Sequence, residues 1–242
     1  MIDVSRFALP TGLSMAYRFL PGTLPAIVFL PGYMSDMSGS KAQAVMDWAQ
    51  GQGRACLLLD YTGCGQSDGQ FADGSLSQWR DEVVALIDHL GLEAVQLVGS
   101  SMGGWLMLLV AEVLGDRAKA VVGIAPAPDF TEWGFSQSQR IALAAGRTIF
   151  EDNPYGPDPT PTHALFWSDG ERNKRLASGV AFDGPVRLLH GQADADVPWE
   201  ISLRLASALR SADVQVRLIK DGDHRLSRET DIALLLRELD GL

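Results

Sequence analysis

The sequence predicts an α/β fold with a mostly parallel sheet covered by helices on both faces. Short continuous apolar runs recur along the chain, among them "AIVFL" (26–30), "RACLLLDY" (54–61), "AVQLVGS" (94–100) and "AVVGIAPA" (120–127). Strands buried on both faces carry such runs. Segments with helical apolar spacing separate them, as the crossovers of parallel strands require. The 242 residues, 46% hydrophobic and 21% charged, suffice for one full core and are few for two.

Residues 13–20 alternate in character and read as a half-exposed strand, after which "AIVFL" is a buried one closed by Pro31-Gly32. "SKAQAVMDWAQGQG" puts Ala42, Val45, Met46 and Ala49 on one helical face, with Gly51 and Gly53 as a stop. After the next buried strand and the turn-rich "TGCGQSDG", "LSQWRDEVVALIDHLG" aligns Trp79, Val83, Leu86, Ile87 and Leu90 on a helical stripe. "MGGWLMLLVAEVLG" is apolar almost all round and fits a helix buried on more than one side. From 128 to 184 the alternation breaks into helix-like pieces divided by Pro, Gly and Asp, and it returns with strand "PVRLLHG", a helix from about Trp199 to Ala212, strand "VQVRLIKDG" and a closing helix in "DIALLLRELDGL". Residues 1–127 and 185–242 are therefore expected to form the core, with 128–184 as an inserted cap. That segment carries Trp133, Phe135, Phe150, Tyr155, Phe166 and Trp167, more aromatic surface than a plain connection needs. Trp133, Phe166 and Trp167 are the expected contacts for an apolar substrate.

Composition narrows the function. A net charge of -10 without a basic cluster disfavours nucleic acid as a partner. The longest apolar stretch, Trp105 to Leu114, is interrupted by Glu112 and is too short for a bilayer span, so no integral membrane segment is expected. The histidines and cysteines lack ligand spacing, and neither a metal nor a cofactor is called for. Cys56 and Cys64 are too few for a disulfide framework, and the first residues lack a basic start leading into an apolar run. The resulting expectation is a cytoplasmic protein with reduced thiols.

The chemistry centres on "VGSSMGGWLML" (98–108), where G-x-S-x-G is matched only with Ser101 at its centre, between a buried strand and a helix. A tight turn there thrusts the central hydroxyl outward, and small neighbours let strand and helix approach. A serine needs a base, and the base needs an acid. His89 falls on the polar side of a helix, His163 lies in the cap, and His190 ends a buried strand as a hydrogen-bonded structural residue. His224, in the loop after the last strand, is the base. Asp194 is the acid in preference to Asp196, read as a turn or capping carboxylate, and to Asp223, which neighbours His224 in sequence. The main-chain N–H groups of Met102 and Tyr33, with Met34 as the fallback, are the expected oxyanion donors.

These residues mark a resemblance to the α/β-hydrolase superfamily. "LPGYMSDMSGSKA", "DYTGCGQSDG", "LSQWRDEV", "LVGSSMGGWLML", "RLLHGQADADVPW" and "DHR" are together similar to the animal mitochondrial palmitoyl-protein thioesterases, also described as mycophenolic acid acyl-glucuronide esterases. The resemblance spans about residues 29–225 and likewise assigns Ser101, Asp194 and His224 to a triad; the cap shows no such match.

The expected function is a cofactor-free serine hydrolase of carboxylic ester or thioester acyl groups. Its substrate is a small molecule or an acyl-protein with a hydrophobic acyl group. The alternatives are a carbon–carbon bond hydrolase or perhydrolase on the same fold, or a non-catalytic binding protein, for which a damaged triad would be expected. Arg172, Lys174 and Arg175 in the cap read as a solvated charged face rather than as a site for an anionic leaving group.

Overall fold

The computed structural model describes residues 2–154 and 156–242; Tyr155 lies outside the described residues. The chain runs β1 (Ser5–Ala8), β2 (Ser14–Leu20), β3 (Thr23–Leu30), α1 (Ser40–Gln52), β4 (Arg54–Leu59), α2 (Leu76–His89), β5 (Val95–Ser100), α3 (Met102–Leu114) and β6 (Ala118–Ile124). The insert follows with α4 (Phe130–Trp133), α5 (Gln137–Ala144), β7 (Ile149–Glu151), β8 (Thr160–Thr162) and α6 (Ala164–Arg172). The chain closes with β9 (Val186–Gly191), α7 (Glu200–Ala208), β10 (Val214–Ile219) and α8 (Glu229–Asp240).

Among the described residues the main sheet has eight strands in the order β1-β2-β4-β3-β5-β6-β9-β10. β1 and β2 run antiparallel to their neighbours, and every pair from β4 to β10 is parallel. The apolar runs divide by parity. In β3, Ala26, Val28 and Leu30 join the core under α2 and α3, whereas Ile27 and Phe29 join the core under α1 and α8. β4 divides likewise, with Leu57 and Leu59 on one side and Cys56 and Leu58 on the other. Successive strand side chains point to opposite faces, so a strand covered on both must be apolar throughout.

Three element boundaries differ from expectation. β1 is an exposed edge strand whose "SRFA" carries no apolar run to announce it. β6 ends at Ile124 because Ala125 takes a positive φ of 42° and the chain turns so that the Ala127 N–H donates to Ser101 O at 3.0 Å. α7 stops at Ala208, where Leu209 becomes extended and bridges Val180.

The insert leaves the sheet after β6 and returns at β9. Its small antiparallel pair, β7 with β8, is separate from the main sheet. The insert is fastened to the core by polar groups. Asp169 of α6 accepts from the Ser77 N–H at 2.8 Å and the Ser77 hydroxyl at 2.9 Å, so a carboxylate from the insert caps the positive end of α2. Asn173 adds a bond to Ser77 Oγ at 2.9 Å, and the Trp105 indole donates to Asn173 O at 3.1 Å. No helix among the described residues is long and apolar enough to cross a membrane.

α3 approaches β5 and the end of β3 so closely that two glycines are obligatory. A Cβ on Gly99 would run into the Gly103 carbonyl, and one on Gly103 would run into the carbonyl oxygens of Leu30 and Pro31. Gly103→Ala is therefore expected to lower stability by about 3 kcal/mol or more, since backbone must move. Gly51→Ala, in α1 where a Cβ meets nothing within 4 Å, should instead stabilise by about 0.5–1 kcal/mol. Urea-unfolding midpoints of the two variants would check both signs.

Candidate active site

Three loops at the carboxyl ends of parallel strands converge on one place, the position where open α/β sheets bind ligands. Ser101 joins β5 to α3 with φ 55° and ψ −120°, a conformation that L residues avoid. The turn is held from several directions. Ser101 N–H donates to Ile124 O at 2.9 Å, and Ser101 O accepts from the N–H groups of Gly104 at 2.8 Å and Ala127 at 3.0 Å.

The Ser101 hydroxyl lies 3.0 Å from His224 Nε2, and His224 Nδ1 lies 2.8 Å from Asp194 Oδ2. An ionised carboxylate only accepts, so Nδ1 carries the ring hydrogen and Nε2 is left to accept from the serine hydroxyl. Asp194 belongs to the turn after β9. Its other oxygen, Oδ1, accepts from the N–H groups of Asp196 and Val197, both at 2.9 Å. Burial pulls the Asp194 pKa upward, but the nearby His190 N–H, the His224 hydrogen bond and charge, and the Val197 N–H outweigh it and hold the carboxyl well below its usual range. His224 sits in the turn after β10, where Asp223 Oδ1 accepts from Leu226 N–H at 2.9 Å. Asp223 thus shapes the turn, while Asp194 meets the imidazole.

Among the described residues, neither the Met102 nor the Tyr33 N–H has an acceptor within the protein. The loop that carries Tyr33 abuts the serine: a Cβ on Gly32 would stand 3.3 Å from Ser101 Cβ. The Tyr33 ring makes edge contacts with Phe71, Phe130 and Phe166, and its hydroxyl donates to Pro161 O at 3.0 Å. Burial pushes the phenol pKa upward, so it remains a donor.

A cavity of about 680 Å³ opens beside these groups. Ser101, Met102, Tyr33 and His224 line it together with Phe130, Trp133 and Phe135 of the insert. Trp133 therefore stands where a substrate contact was expected. Phe166 and Trp167 do not line the cavity: Phe166 is 2% exposed in the core cluster beneath Tyr33, and the Trp167 indole donates to Thr131 O at 3.1 Å. The helical spacing of α6 turns both rings toward packing. Phe130 was not singled out from sequence because the irregular stretch around it has no period that reveals which ring faces inward.

The remaining histidines are placed elsewhere or differently. His89 packs on Phe7, and His163 bonds Thr148 Oγ1 at 2.9 Å. His190 is buried, as expected of a structural residue, but it also touches Asp194 at 3.2 Å. Arg172, Lys174 and Arg175 pair with Asp169, with Glu132 and Glu171, and with Glu112. Asp194, Asp196 and His224 bring potential ligand atoms within 4.8 Å of one another and could hold a cation. Binding one would displace existing partners, since both Asp194 oxygens and both His224 ring nitrogens are engaged.

Comparison with known proteins agrees with this architecture. Residues 25–148 match the model of the alpha/beta hydrolase fold family. The chain is 36% identical over 238 residues to human palmitoyl-protein thioesterase ABHD10, mitochondrial, covering 95% of this chain and 76% of the relative. The solved structure of alpha/beta hydrolase domain-containing protein 10 from mouse superposes with a TM-score of 0.91 at 35% identity, covering 99% of this chain and 97% of that one. A crystal structure from Agrobacterium vitis S4 gives a TM-score of 0.93 at 35% identity, covering 100% and 98%. The mitochondrial designation of the human and mouse relatives overturns the cytoplasmic expectation. That expectation rested on unpaired thiols and the character of the first residues, and unpaired thiols suit any reducing compartment. This chain belongs to the alpha/beta hydrolase fold family, with ABHD10 among its relatives.

Proposed function

We propose that this chain is a serine hydrolase of acyl thioesters and carboxylic esters, with residues 128–184 as its cap. The observation that carries the reading is the line of contacts from Ser101 Oγ through His224 to Asp194, at 3.0 and 2.8 Å. Ser101 Oγ attacks the acyl carbonyl carbon as its proton passes to His224 Nε2. Asp194, ionised by virtue of its depressed pKa, compensates the imidazolium through Nδ1–H. The Met102 and Tyr33 N–H groups take the developing oxyanion, and the positive end of α3 adds to them. The tetrahedral intermediate collapses, His224 returns its proton to the departing thiol or alcohol, and Ser101 is left acylated. Water then attacks the acyl carbon as His224 takes its proton, and His224 returns that proton to Ser101 Oγ as the acyl–Oγ bond breaks, releasing the acid and restoring Ser101.

Phe130, Trp133 and Phe135 offer an apolar wall for the acyl chain, and the cavity falls within the range of about 300–1,000 Å³ usual for small-molecule sites. The name of the human relative, a palmitoyl-protein thioesterase, supports a thioester and a long acyl group. No cofactor takes part in these steps.

The test is hydrolysis of a matched acyl series, short to long, as oxygen esters and as thioesters. Ser101→Ala should reduce turnover about 10⁴-fold or more. Turnover that survives in this variant, or no turnover of any member by the unaltered protein, would refute the assignment. Trp133→Ala should cost the longest acyl group about tenfold in kcat/KM while sparing the shortest, because only the longer chain reaches the missing ring. Equal losses across the series would place Trp133 outside the acyl path.

A further inference from the structure

His190 ends β9 with its side chain 0% exposed, and a buried imidazole must satisfy two ring nitrogens. Its Nδ1 lies 2.7 Å from Ser202 Oγ, and its Nε2 lies 3.0 Å from Val197 O and 3.2 Å from Asp194 Oδ2. A carbonyl and a carboxylate can only accept. Nε2 therefore carries the hydrogen, and Nδ1 accepts from the Ser202 hydroxyl. The better-aligned bond runs to Val197 O, with the carboxylate oxygen to the side of the same N–H. That oxygen is also the one bonded by His224 Nδ1–H at 2.8 Å. One imidazole thus hydrogen-bonds this oxygen, and the N–H edge of the other stands 3.2 Å from it.

We propose that His190 is a positioning residue: its Nε2–H, oriented by Ser202 and bonded to Val197 O, stands beside Asp194 Oδ2 and so tempers how strongly that oxygen compensates a charged His224. The proposal rests on the Ser101–His224–Asp194 reading above. A carboxylate oxygen that already bears the positive end of one N–H is a weaker base toward the next. It therefore stabilises the His224 imidazolium less. The same contact secures the turn that presents Asp194, because His190 also holds Val197 O, one residue beyond the Asp196 N–H that Asp194 binds.

The ionisable surroundings are few. The turn after β9 contributes Asp194 and exposed Asp196, and the turn after β10 contributes exposed Asp223 and Arg225 beside His224. At the start of α1, the Lys41 ammonium donates to Arg225 O; burial and the Arg225 charge lower its pKa to about 8. From the β3–α1 loop Asp36 is exposed, and α7 meets His190 with Ser202 while its Glu200 and Arg204 are exposed.

The test is the pH dependence of kcat/KM on an acyl thioester, for the unaltered protein, His190→Leu and His190→Gln, with folding checked by thermal melts. His190→Leu removes the N–H and should raise the acid limb by about one pH unit. His190→Gln, whose amide can place an N–H where Nε2 stood, should restore the acid limb. A residue that merely filled space would leave the limb in place, and an acid limb that stays or moves down in His190→Leu overturns the proposal. Should His190→Leu fail to fold, ¹⁵N shifts of His190 in the unaltered protein decide. A protonated Nε2 and an unprotonated Nδ1 at every pH of the profile are expected; a proton on Nδ1 at any of them overturns it. Loss of Ser101-dependent turnover in the unaltered protein would instead refute the hydrolase reading, and the ring shifts would still judge His190 separately.

Discussion

The close approach of α3 to β5 and to the end of β3 is the constraint on which the site depends. With no Cβ at Gly99 or Gly103, the helix begins immediately where the strand stops, and Ser101 must occupy the corner at φ 55°. Such a conformation costs about 1–3 kcal/mol and persists only where the surroundings over-determine it. Here β6 accepts the Ser101 N–H, while α3 and the chain after β6 both donate to its carbonyl. The corner also brings the loop after β3 against the serine, so that the placing of the Ser101 hydroxyl, the helix terminus and the amide of Tyr33 are consequences of one backbone approach.

The second organising element is a buried carboxylate. Asp194 accepts from two main-chain N–H groups of its own turn and from His224, and it touches His190. Its side chain is 0% exposed, and so much charge out of water is tolerable only because donors surround it. These bonds join the turn after β9 to the turn after β10. The imidazole is thereby located with respect to the sheet rather than left to a mobile loop.

Much of this was legible in the sequence, for reasons that differ by element. The central strands declared themselves because burial on both faces demands unbroken apolar runs, and α1 and α2 because a single apolar stripe repeats at helical spacing. Ser101 was legible because glycine placement around it has a steric cause that leaves few other readings. His224 and Asp194 followed from their places after strands, and the geometry brings both to Ser101. The insert was opaque. Its polar fastening, such as Asp169 on the first turn of α2, joins residues 92 apart and leaves no periodic trace. For the same reason Phe166 and Trp167 were expected to meet substrate, although they pack, and Phe130 was overlooked. The second contact of His190 was hidden because a buried histidine looks the same in sequence whether it bonds a main-chain oxygen or a carboxylate beside the site.

Tyr33 belongs to two structures at once. Its amide lies on the core loop beside Ser101, whereas its ring rests among Phe130 and Phe166 and its hydroxyl is bonded to Pro161 of β8. The insert is thus one of the walls that hold the amide's own residue in register. In engineering terms the insert is not an interchangeable module: a transplanted one that reproduced the cavity but lacked an acceptor for this hydroxyl would inherit the shape of the pocket without the alignment of the loop.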